Sequence, residues 1–281
     1  MSNPSVRGRR VAAELARLRE ATGLSREEVA ERQGWSVSKV WRIETGRTRA
    51  HHGDVADLLD LYGVGGSERE TLIRLAREAR RRGWWHSYAD VLAEGFDTYV
   101  DLEIQATSIR TYEAQLVPGL LQTEAYARAV LSAAWVTTEQ DEISRRVAVR
   151  MRRQEVLASK EDGPQLWAVL DEAVVRRGIG GIDVMREQLS RLLEMAEQAT
   201  VTLQVLPFSV GAHAAMIGAF VILGFPDPDR PVVYLETDTR SLYLEEAAEL
   251  DRYMLVFDHL RAAALSRAES AAFVSQARRE L

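Results

Sequence analysis

The 281-residue chain contains no cysteine. That absence removes disulfides, thiolate metal ligands and a cysteine nucleophile, and it fits a reducing cytoplasm, which is the expected compartment. Long apolar runs are missing too: none approaches the roughly 20 residues that a membrane-crossing helix needs. Met1 to Arg10 holds basic residues with no apolar core behind them, so a secretory signal is not expected. Histidine is scarce. Of His51, His52, His86, His213 and His259, only the first two are neighbours in sequence, and adjacent residues on a helix are expected to point apart rather than to form a metal pair. His213 sits in a small-residue loop with no acid or nucleophile beside it in sequence. Asp171-Glu172 suits a helix N-cap better than an acid–base pair, because consecutive side chains diverge. Gly178-Ile179-Gly180-Gly181 lacks the spacing and basic residue of a phosphate loop. The expectation is therefore a protein that is not an enzyme and uses no cofactor or metal.

Apolar residues make up 46% of the chain and charged residues 28%, the profile of a globular protein. The length suits one large domain or two ordinary ones. The formal net charge is −6, which argues against nucleic acid until its distribution is read. Residues 1–50 carry 11 Lys+Arg against 6 Asp+Glu, leaving −11 on the rest. A basic module in an acidic chain confines phosphate attraction to one face.

Within that module, Leu24 to Arg47 reads as two short helices joined by a glycine turn. Ser25 caps the first, with Glu28 three residues on completing a capping box. Gly34 supplies the turn, Ser36 caps the second helix and Gly46 ends it. Val29, Ala30, Val40 and Ile43 fall on the faces that pack the pair together. Val37, Ser38, Lys39 and Arg42 are left on the outer side, where a recognition helix offers donors and acceptors to base edges. Ser36 opens that helix, and Arg47 and Arg49 follow it on a turn beside the expected phosphate backbone. Arg26, near the start of the preceding helix, is placed for the same task. The DNA-contact set is thus Arg26, Ser36, Val37, Ser38, Lys39, Arg42, Arg47 and Arg49, with double-stranded DNA as partner. Such modules read two half-sites, so a homodimer is expected.

Around the motif, Val11, Leu15 and Leu18 mark a first helix from Arg7 to Thr22, and His51–Tyr62 and Glu68–Arg82 mark two more. Residues 1–82 therefore form an all-α, five-helix domain. Arg80-Arg81-Arg82-Gly83 is the boundary. Beyond it, helical patterns run through Phe96 to Ile104, Thr123–Ala133, Asp141–Lys160, Ile182–Thr200, Ala247–Ser266 and Glu269–Ala277. Strand patterns occur at Ile109–Leu116, Leu166–Leu170, Val201–Leu206, Ala219–Gly224, Val232–Glu236 and Ser241–Glu245. Residues 83–281 are expected to form an α/β or α+β domain with a mixed sheet and long flanking helices. A small-molecule pocket near Val201 to Glu245 gives an alternative role, that of a ligand-sensing regulator.

Residues 7–65, and Ile43-Glu44-Thr45-Gly46-Arg47 above all, resemble the phage-repressor-like, XRE-type helix-turn-helix regulators. The resemblance implies that Arg19 pairs with Glu44 in the scaffold. The chain departs from that family at Val37 and Ala50, where proline is common, and at Trp41, where a small polar residue is usual. Further segments are similar to the C-terminal domain of WhiJ-like actinobacterial regulators: Trp84-Trp85, Glu113 to Thr123, Arg145 to Arg153, Val205-Leu206-Pro207-Phe208, Gly224-Phe225-Pro226-Asp227 and Tyr243-Leu244-Glu245. This second resemblance implies an antitoxin-like repressor, associated with the nucleoid, whose C-terminal domain binds a small protein encoded nearby.

Overall fold

The computed structural model describes residues 6–48, 50–79, 83–93, 95–134, 139–158, 163–226, 230–237 and 241–281. Arg49, the run Arg80 to Arg82, Lys160, Asp227 and the turn residues Asp238 and Thr239 lie outside the described residues. The chain divides into two compact units, 1–86 and 87–281. Trp84, Trp85 and His86 fall with the first.

The first unit is helical: α1 Val6–Thr22, α2 Arg26–Gln33, α3 Val37–Glu44, α4 His52–Leu61 and α5 Gly66–Ala79. Its core takes one stripe from each helix. Val11, Leu15 and Leu18 meet Val29 and Ala30, Val40 and Ile43, Val55, Leu58 and Leu59, and Leu72, Leu75 and Ala76. The spacing of three and four residues within each group puts them on one face, which is why short helices of modest propensity hold together here. Ser25 Oγ accepts from the Glu28 N–H while Glu28 Oε2 accepts from the Ser25 N–H, closing the capping box. Trp84–Tyr88 forms one 3₁₀ segment. Its two indoles meet edge to face at 6.0 Å.

The second unit is built on six strands: β1 Ser108–Glu113, β2 Gln165–Asp171, β3 Val201–Leu206, β4 Phe220–Gly224, β5 Val232–Glu236 and β6 Ser241–Leu244. Their order is β3-β2-β1-β4-β5-β6. β1, β2 and β3 run parallel, with Tyr112 opposite Val169 and Val169 opposite Gln204. From β1 to β6 the neighbours are antiparallel, with Tyr112 opposite Phe220, Ile222 opposite Val233 and Tyr234 opposite Tyr243. Connection length sets this division. Parallel neighbours need a crossover, and helices supply it: α7 Glu124–Ala134, α8 Gln140–Arg153 and α9 Glu155–Ala158 before β2, then α10 Glu172–Arg176 and α11 Ile182–Ala196 before β3. Between β4, β5 and β6 the links are too short for a helix, so the strands fold back on one another. α6 Phe96–Gln105 precedes the sheet, and α12 Ala247–Ala263 and α13 Arg267–Glu280 follow it.

Side chains alternate across the sheet. Tyr112, Val169, Phe220, Ile222 and Val233 pack with Leu250, Phe257 and Leu260 of α12. Leu166, Ala168, Leu170, Leu203 and Val205 are buried on the other face. The interior strand β2 is covered on both sides, hence the unbroken apolar run in its sequence. The helix expected over Asp141–Lys160 is interrupted at Gln154. That residue turns its amide to the carbonyls of Gly119 and Gln122 at 3.0 and 2.7 Å, tying the segment to the loop before α7. The first strand stops at Glu113 rather than Leu116.

Glu113 ends β1 with its carboxylate accepting from Thr111 Oγ1 at 3.1 Å. Burial, reinforced by Glu236, pushes this carboxyl up to about 8. The folded chain therefore holds a proton that the unfolded chain releases near the ordinary 4.5. Stability contributed by that proton is complete below 4.5 and is lost as the pH rises toward 8. Glu113→Gln should remove this fall, so the melting temperatures of variant and wild type diverge across that window in the variant's favour. Parallel melting curves from pH 5 to 8 would contradict it.

Candidate nucleic-acid interface

The geometry of the first unit begins at the turn. Gly34 adopts a left-handed conformation at φ 66°, and Trp35 N–H donates back to the Ala30 carbonyl at 2.8 Å. Only a residue without Cβ takes this path at little cost. Ser36 then caps α3, its Oγ accepting from the Lys39 N–H at 3.2 Å. At the far end Gly46, at φ 67°, lets the chain leave α3, and Thr48 N–H donates to the Arg42 carbonyl at 3.2 Å.

Val40, Ile43 and Glu44 face inward, whereas Ser36, Val37, Ser38, Trp41 and Arg42 are exposed. Val37 and Trp41 keep 40% and 37% of their surface. Arg42 leans toward Ser38, with its Nη1 at 3.4 Å from the hydroxyl, and is otherwise free to extend. Arg47 lies over the Trp41 ring at 4.7 Å. This tryptophan thus positions a cation at the edge of the face. Arg49 lies outside the described residues.

Two of the expected contact residues are engaged inside the protein. Lys39 Nζ pairs with Asp54 at 2.9 Å and stands 3.5 Å from the centre of the Trp35 ring. Arg26 Nε pairs with Glu44 at 2.7 Å. The Glu44 side chain has no exposed surface, and its second oxygen accepts from Arg19 Nε, also at 2.7 Å. Arg19 Nη1 continues to the Leu24 carbonyl at 2.8 Å. The Arg19–Glu44 pairing implied by the family resemblance is present, and Arg26 joins it. Sequence reading missed Asp54; the signal available was an acid in the first turn of α4, next to the loop that follows the recognition helix.

Elsewhere the structure resolves the other candidates. Asp171 caps α10, accepting from the Ala173 N–H at 2.8 Å. His213 Nε2 lies 3.3 Å from the Tyr112 hydroxyl, and its Nδ1 accepts from Ala215 N–H at the same distance, a packing arrangement in the loop after β3. The expectation that His51 and His52 point apart is corrected: their rings are 4.2 Å apart. The reason is that His51 caps α4 from outside, its Nδ1 accepting from Gly53 N–H, rather than sharing the helix with His52. Among the described residues no group of three or more His, Cys, Asp or Glu side chains is placed to hold a metal, and no helix is long and apolar enough to cross a membrane.

Comparison with known proteins adds two matches. Residues 10–72 match a helix-turn-helix domain, and residues 96–276 match a family described as a domain of unknown function, DUF5753. No curated protein and no solved structure matches the chain.

Removing either side of the buried pair leaves an uncompensated charge, at a cost of about 3–5 kcal/mol. Glu44→Ala and Arg19→Ala should each lower the melting temperature of the helical unit markedly, and Arg26→Ala should lower it less, because Arg26 remains 37% exposed. Thermal unfolding followed by circular dichroism checks this order; equal or negligible effects of the three substitutions would refute it.

Proposed function

Because this chain belongs to the DUF5753 family through residues 96–276 and carries a helix-turn-helix domain ahead of it, we propose that it is a sequence-specific transcriptional regulator that reads DNA as a homodimer and is controlled by a small protein bound to its C-terminal domain. The observation that carries the DNA reading is α3, which buries Val40, Ile43 and Glu44 and leaves Val37, Ser38 and Arg42 exposed along one face. Ser38 and Arg42 offer donors to base edges, Val37 offers a methyl surface to thymine, and Arg47 supplies a phosphate contact. Lys39, held by Asp54 and Trp35, steadies the flank of the helix and reaches bases only by giving up that pairing.

A protein partner is supported by charge and by apolar exposure. Residues beyond 50 carry −11, which favours a basic partner. Between β3 and β4, Phe208, Met216 and Ile217 stand exposed, Ile217 at 95%. Repressor action and the antitoxin-like setting rest on the family resemblance. Co-expression with the product of an adjacent small open reading frame should yield a stable complex, and failure to associate at micromolar concentration would count against partner control.

The DNA reading predicts two distinct mutational signatures in gel-shift titrations across a range of salt. Arg42→Ala should cost about 1–3 kcal/mol on the preferred site and relax its sequence preference. Arg47→Ala should weaken binding to all duplexes alike and lower the salt slope by about 1. Identical behaviour of wild type and Arg42→Ala on preferred and unrelated duplexes would rule out α3 as the reading face.

A further inference from the structure

On the face of the sheet opposite α12, α8 carries three arginines spaced four and three residues apart, Arg146, Arg150 and Arg153. Two are already neutralised. Arg146 pairs with Glu142 on its own helix at 2.6 Å. Arg153 makes a bidentate pair with Glu103 of α6 at 2.8 and 2.7 Å, both side chains buried. Its guanidinium also lies 5.0 Å from the centres of the Phe96 and Tyr99 rings.

Arg150 differs. Among the described residues its one hydrogen bond goes from Nη1 to the neutral amide oxygen of Gln122 at 3.0 Å. No carboxylate lies within ion-pair distance of it among the described residues. A guanidinium presents five N–H donors in a planar fork, so most of this one's capacity is unused. Burial and the neighbouring Arg153 cation push Arg150 down to about 10, which still leaves it charged at neutral pH. A small open cleft of about 90 Å³ lies on this side chain, with Leu92, Phe96, Leu131 and Val149 as apolar walls and Arg146, Arg153 and Glu236 also on its lining. Glu236, Glu113 and Glu103 act on this guanidinium only through space, so its open donors, beside apolar walls, make the cleft a candidate ligand site.

We propose that this cleft binds a small organic anion, its carboxylate or phosphate seated on the Arg150 fork and its apolar body against Phe96 and Leu131. The bidentate geometry that Arg153 already makes with Glu103 shows what the same side chain type achieves with an oxyanion in this layer. Glu236 repels an anion and sets its affinity low, as suits a sensor that releases its ligand.

The test is calorimetric titration of the full chain with benzoate, phenyl phosphate and inorganic phosphate, with benzyl alcohol as the neutral control. Saturable binding of benzoate or phenyl phosphate is expected, with none for benzyl alcohol. The choice between the two anions identifies the head group, and tight binding of inorganic phosphate alone would overturn the apolar part of the assignment. Arg150→Gln should weaken binding about tenfold or more, and Glu236→Gln should tighten it. Arg150→Met, without ligand, should melt only slightly lower than wild type, since the buried Gln122 amide oxygen loses its donor while a desolvated charge without an ion pair is removed. No saturable binding to any probe at millimolar concentration, equal affinity in Arg150→Gln (an adventitious ion only), or a marked loss of stability in Arg150→Met would each overturn the site. DNA plays no part in these measurements, so their outcome is separate from that of the reading of α3.

Discussion

Everything the helical unit does depends on one carboxylate. Glu44 is the last residue of α3, the end at which the helix dipole disfavours a negative charge, and its side chain is wholly buried. Desolvating such a group costs several kcal/mol unless cations are held against it. Arg19 from α1 and Arg26 from α2 meet that need at 2.7 Å each. Three helices are therefore locked at one point. Rotating α3 about its axis would strand the charge, so the same contact that stabilises the unit fixes which side of α3 faces outward. Val37, Ser38 and Arg42 owe their exposure to Glu44 as much as to their own polarity.

Much of the helical unit is legible in the sequence because its determinants are local. Capping residues, the Gly34 turn and the three-and-four spacing of Val11, Leu15 and Leu18 act within a few residues of where they stand. Pairings between helices are less legible. Arg26 sits where a phosphate contact is plausible, and nothing in its neighbourhood in the chain tells that Glu44, 18 residues on, takes its Nε. Lys39 is similar, since Asp54 comes to it from α4. In the second unit the strands themselves are visible as short apolar runs, but their order is not. That β1 takes the centre between β2 and β4 follows from which connections are long enough to cross over. The break at Gln154 is hidden for the same reason: it answers carbonyls at Gly119 and Gln122 that lie more than 30 residues away.

The two units use arginine differently. In the first, two guanidiniums converge on one carboxylate. In the second, Arg146 and Arg153 of α8 are each bonded to a carboxylate, whereas Arg150 between them makes no ion pair among the described residues. In both places guanidiniums outnumber the carboxylates bonded to them, but only at Glu44 does every one of them reach a carboxylate.

The proposed function requires α3 to read base sequence. Selection of bound fragments by the full-length chain from a pool of random duplexes, followed by sequencing, examines this most directly. The reading of α3 predicts an enriched motif made of two inverted half-sites with centres about 10 base pairs apart. A bound pool indistinguishable in sequence from the input, held only by its phosphates, would contradict it.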